Sequence, residues 1–240
     1  MRGSLALRWG ARSARLTTFR SSKPTGTSWW PLLYGSRAIN TSKKGTLVEE
    51  SGLVEGQNLL LSDQPTRFDV VVTPDPRNAS PERPVPTVGT LDAVSQRMSQ
   101  LTSQLTAIKE FPTANRLAFG ITLYQVSFTR TDALQTLTQI FPELSKVLKN
   151  SEDFVFQINH PTREELEDIS LTIQYLQKWY FAELKLDGGP QSGPIDVFTA
   201  NVNLDISTSL SPARGWSPKD AAQIIPVLIR GAKLVLEESI

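Results

Sequence analysis

The stretch IDVFTANVNLDIS, residues 195–207, alternates with a period of two from Phe198 to its end. Phe198, Ala200, Val202, Leu204 and Ile206 form one set; Thr199, Asn201, Asn203, Asp205 and Ser207 form the other. Successive side chains on a strand point to opposite faces, so a β-strand sorts these residues into an apolar side and a polar side. Such a strand needs a sheet buried on one face and open on the other, and this requirement constrains the rest of the chain.

Other segments fit the same sheet. FVFQIN (154–159) sets Phe154, Phe156 and Ile158 against Gln157 and Asn159. NRLAFGITLYQVS (115–127) is apolar in both phases from Leu117 to Leu123, as a strand covered on both faces should be, and Gly120 within it predicts a bulge or a close approach. NLLLS (58–62) and RFDVVVT (67–73) read as a hairpin or as two adjacent strands. In ISLTIQYLQKWYFAELKL (169–186) the apolar set runs through Ile169, Leu171, Ile173 and Tyr175, then moves to Leu176, Tyr180, Ala182 and Leu184. That change of phase predicts a bulge or a helical interruption near 174–178.

Helical periodicity appears three times. Leu91, Val94, Met98, Leu101, Leu105 and Ile108 recur every three or four residues behind a Thr90 cap. This stripe packs on the chain's own sheet, or it is offered to a protein partner or a second copy. A helix over 130–149 buries Leu134, Leu137, Ile140, Leu144 and Leu148, with Pro142 bending or splitting it. The last helix begins at Ser217-Pro218 with Asp220 in its first turn, is apolar all round from Ala221 to Ile229, and is expected to kink at Pro226. Five prolines within residues 74–86 make an extended linker.

The expected fold is therefore α+β: a mostly antiparallel sheet with helices packed on one face, preceded by a disordered basic leader. The polar positions Gln157, Asn159, Thr172, Gln174, Asn201, Asn203 and Asp205 line the open face. Gln157, Asn159, Thr199, Asn201, Asn203 and Asp205 are the candidate binding residues.

Charge is divided unevenly along the chain. Residues 1–48 hold nine basic side chains and no acid, leaving sixteen basic against twenty-four acidic residues, a net of −8, in the remainder. An arginine-, serine- and threonine-rich stretch without acids has the composition of a transit peptide. Within it, RAINTSKKGT (37–46) resembles the two-step mitochondrial processing pattern, with Leu47 as the new N-terminus. The expected organisation is a leader over 1–46, N-terminal strands over 47–73, a linker over 74–89 and an α+β domain over 90–240. The expected location is the mitochondrial matrix, with the cytoplasm as the alternative. No apolar run approaches the length of a spanning helix.

Side-chain chemistry is sparse. The chain has no cysteine and one histidine, which removes thiolate nucleophiles, sulfur-ligated metals and multi-histidine sites. No cofactor and no metal are expected. GGPQSG (188–193) lacks the lysine and helix start of a phosphate cradle. The acids Glu164, Glu165, Glu167 and Asp168 read as a solvated turn, and the negative body argues against nucleic acid. His160 precedes Pro161 and is expected to close its strand. As a general base it would need Asp153, Glu164 or Asp205 beside it and a nucleophile in reach. The functional expectation is a soluble, non-enzymatic binding or assembly module. The alternatives are a binder of a lipid or quinone-like ligand between the sheet and residues 221–236, and a hydrolase using His160.

Overall fold

The computed structural model describes residues 9–20, 28–35, 38, 40–44, 46–80, 83–148, 151–167, 169–187, 194–210 and 215–239. Its elements in chain order are β1 (Gly10–Phe19), α1 (Trp29–Tyr34), β2 (Asn40–Lys44), β3 (Leu47–Val54), β4 (Gln57–Gln64), β5 (Arg67–Pro74), α2 (Leu91–Thr106), β6 (Arg116–Ser127), α3 (Arg130–Ile140), α4 (Ser145–Leu148), β7 (Val155–Leu166), β8 (Ile169–Asp187), β9 (Pro194–Thr208) and α5 (Pro218–Ser239). The strands form one nine-stranded sheet in the order β2-β3-β4-β5-β1-β6-β9-β8-β7, and every described pairing is antiparallel. Helices α2, α3 and α5 pack against it, so the architecture is α+β.

The register sorts the side chains by face. Leu16, Val70 and Phe119 share one row, and Leu61 extends it across β4; Ile121, Leu204 and Ala14 share another, all of them buried. Val94, Met98, Leu101 and Leu105 of α2 enter the same core with Ile224, Ile225, Leu228 and Ala232 of α5. The stripe read as a possible partner seam is thus spent inside the molecule, with Leu91 and Ile108 half-buried at its ends. Burying four such side chains removes several hundred Å² of apolar surface, about 2 kcal/mol each, which is what holds an otherwise polar helix to the sheet. Thr90 caps α2 by accepting from Ala93 N, as its sequence position implies.

The largest departure lies in the basic stretch. Residues 10–19, expected within a disordered leader, are the middle strand, with β5 on one side and β6 on the other. Ala11, Ala14, Leu16 and Thr18 face the core. A bulge between Ala11 and Ser13 breaks their alternation, so the strand carries no clean period of two. Arg20 continues from β1 into a buried ion pair with Asp63. Glu50 accepts from the backbone N–H groups of Trp29 and Trp30 at 2.7 and 2.8 Å, satisfying the start of α1. Residues 1–8, 21–27, 36–37, 39 and 45 lie outside the described residues.

Three smaller expectations also change. The phase change in 169–186 produces no interruption: β8 pairs with β9 without a register shift from Ile173 to Asp187. Ile173, Tyr175, Trp179 and Phe181 take the helix side while Leu176, Tyr180, Ala182 and Leu184 take the other, because the strand is apolar on both faces over this length. Gly120 makes no bulge; a Cβ there would stand 3.8 Å from Leu204 O, an ordinary contact. His160 does not end its strand, since β7 continues through Pro161 to Leu166 and takes Thr162 to Leu166 of the expected acidic turn with it. Proline is tolerated there because β7 is an edge strand. Pro142 does split its helix, separating α3 from a short 3-10 turn and α4.

Candidate functional site

On the face opposite the helices the proline-rich segment lies over Tyr124, and a depression of about 360 Å³ lies across β5, β1, β6 and β9. Small residues make its floor: Gly120 and Ala118 of β6 leave a groove between the longer side chains of β1 and β9. Along one register row Arg15 of β1, Gly120 of β6 and Asp205 of β9 stand side by side. Ser13, Thr122 and Asn203 form the next row.

The charges of this groove differ in how they are satisfied. Arg67 pairs with Asp69 at 2.7 Å, and Asp69 also accepts from Thr17 Oγ1 at 2.6 Å. Arg116 donates to Ser207 Oγ at 2.7 Å and lies over the Phe19 ring. Arg15 is exposed and forms no ion pair among the described residues. Asn203 Oδ1 and Asp205 Oδ1 are buried atoms that accept no hydrogen bond. Buried acceptors are normally satisfied, so these two mark the wall where a donor is missing.

All six candidate binding residues share this face, in three different settings. Asn203 and Asp205 line the groove. Thr199 and Asn201 are almost fully buried and satisfied among themselves: Asn201 Nδ2 donates to Thr199 Oγ1 at 2.9 Å, and Thr199 Oγ1 donates to Ala182 O at 3.3 Å. They sit beside Tyr124, whose hydroxyl donates to Val85 O at 2.7 Å and ties the proline-rich segment to the sheet. Asn159 donates to Gln174 Oε1 at 2.9 Å on the exposed margin, and Gln157 is exposed on β7. Arg15, Arg116 and Gly120 were not read as site residues, because facing rows across three strands have no trace in local spacing.

The edge of the sheet at β7 is the second notable surface. Phe154 O accepts from Phe181 N, so the even-numbered backbone groups of this strand bond inward to β8 and the odd-numbered ones face out. Val155 is 63% exposed and Ile158 45% exposed. The opposite edge, β2, consists of five exposed polar residues ending in Lys43 and Lys44. His160 lies on β7 beside Tyr175, exposed, on the helix-bearing side, whereas Asp205 projects from the opposite face. No hydroxyl or carboxylate hydrogen-bonds to His160 among the described residues, and these hold no cluster of three or more potential metal ligands. No described helix is long and apolar enough to cross a membrane. The GGPQSG loop lies outside the described residues, as does Asp168. The chain matches no protein-family model and no curated protein sequence.

Proposed function

We propose that this chain is a non-enzymatic assembly module that pairs with a second copy of itself through β7. The observation that carries the reading is the unguarded half of that edge. Val155, Gln157 and Asn159 turn their backbone N–H and C=O groups outward, while Val155 and Ile158 leave apolar surface exposed beside them. Open edges of this kind are templates for another strand.

The sequence is compatible with two-fold pairing about Gln157. In that register residues 155, 157 and 159 exchange both backbone hydrogen bonds with 159, 157 and 155 of the copy, and Phe156 meets Ile158 across the junction. Phe156 is already held 4.9 Å from the Phe141 ring, so its position is preorganised. Sliding the copies toward Leu166 would bring Pro161, which has no N–H, into the ladder, followed by Arg163, Glu164 and Glu165. Light scattering on the full chain should give a dimer, and Gln157→Pro, which removes the central outward donor without touching the β8 ladder, a monomer. A monomeric wild type, or a dimeric variant, would overturn the assignment.

Close packing disfavours the apolar-ligand alternative. Ile224, Ile225 and Leu228 of α5 are fully buried, and a Cβ on Gly231 would stand 2.7 Å from Tyr175 Cε1. The location proposed is the mitochondrial matrix, with the basic stretch retained after import; nine basic residues without an acid support import, and the role of β1 in the sheet supports retention. Sequencing the N-terminus of the protein recovered from mitochondria checks this. A mature form beginning at Leu47, or a form confined to the cytosol, would contradict it.

A further inference from the structure

We propose that the groove over Gly120 binds a linear zwitterion, an ω-amino acid or a ligand of the same charge pattern. Its two walls ask for opposite things. On the β9 wall Asn203 Oδ1 and Asp205 Oδ1 are buried acceptors without a donor. On the β1 wall Arg15 carries a positive charge with no ion-pair partner among the described residues, while Arg116, at the start of β6, directs its guanidinium to Ser207 and Phe19. The remaining charged pair, Arg67 and Asp69, is closed on itself and closes one end.

A bare anion drawn to Arg15 would leave the Asp205 carboxylate unpaired, and a bare cation drawn to Asp205 would leave the Arg15 guanidinium unpaired. A ligand with an ammonium at one end and a carboxylate at the other satisfies both walls. The ammonium pairs with the charge of the Asp205 carboxylate at the groove wall, and the carboxylate accepts from Arg15, where an arginine fork suits a planar oxyanion. The walls are separated by β6, two strand spacings or about 10 Å in all, so the charges of the ligand must be separated by an extended chain. The methylenes of that chain would lie on Gly120 and Ala118. A volume of about 360 Å³ is at the small end of ligand sites.

Titration calorimetry on the full chain with ε-aminocaproate, caproate and hexylamine separates the possibilities. The zwitterion should bind at least roughly tenfold more tightly than either singly charged analogue. Gly120→Leu should abolish binding while the protein still unfolds cooperatively, because the new Cβ has ordinary room and the side chain fills the groove. Asp205→Asn should weaken the zwitterion toward the affinity of caproate. Binding that survives Gly120→Leu, equal affinity for all three ligands, or no heat with ε-aminocaproate at millimolar concentration would each overturn the proposal. The Gln157→Pro variant should bind as the wild type does, which keeps this test separate from self-pairing.

Discussion

Tyr124 is where a single residue ties the proline-rich segment to the sheet. Its hydroxyl donates to Val85 O, and beside it Gly10 lets the backbone pass so close to Thr87 that a Cβ would stand 2.7 Å from the methyl group. Burial pushes the Tyr124 phenol up from 10.0 to about 12, with Arg12 opposing the shift. Because the folded value lies above the unfolded one, this phenol's contribution to stability is complete below pH 10 and is lost as the pH rises through about 12. Urea unfolding across that window should show the loss, and Tyr124→Phe should flatten it while costing about 1 kcal/mol near neutrality for the missing hydrogen bond. Phenolate absorbance should show the variant lacking a late-ionising tyrosine. Tyr124 read in sequence only as part of an apolar strand, since its partner lies in a separate segment. Asn203 and Asp205 were legible as neighbours on one face of the sheet because alternation within β9 fixed that face.

Among the elements, β1 shows most clearly where local reading stops. Its core side is built from Ala11, Ala14, Leu16 and Thr18, small or polar residues interrupted by a bulge, and Arg12 and Arg15 lie between them. Charge composition was therefore the stronger signal in that stretch, and it pointed to a leader. Arg15 and Arg20 have structural positions instead, one at the groove and one in the ion pair with Asp63. Deleting residues 1–46 removes the strand that joins β5 to β6 and exposes Val70, Val72, Phe119 and Ile121 along two new edges. The truncated chain should aggregate or lose cooperative unfolding, measured by circular dichroism and sedimentation; a soluble, cooperative product would show that the two halves of the sheet are independent. By contrast, α2, the split at Pro142 and the hairpin of β4 and β5 were legible because caps, prolines and periodicity are local.

Across the whole molecule, the sequence by itself determined which side chains share a face of each well-patterned strand, where α2, α3 and α5 run, and which side chains the chain lacks. Those properties follow from side-chain direction and from composition, neither of which depends on a neighbour. The tertiary structure decided the strand order, the central place of β1, the inward use of the α2 stripe and the continuation of β7 past His160. It also set Arg15, Gly120 and Asp205 in one row, though they come from three strands distant in sequence. Pairing between distant strands depends on total burial and on closing long loops, and no window of sequence contains either term. The sorting of polar residues to one face was therefore visible in the sequence, while the groove within that face and the unguarded edge beside it were settled only when the strands took their places.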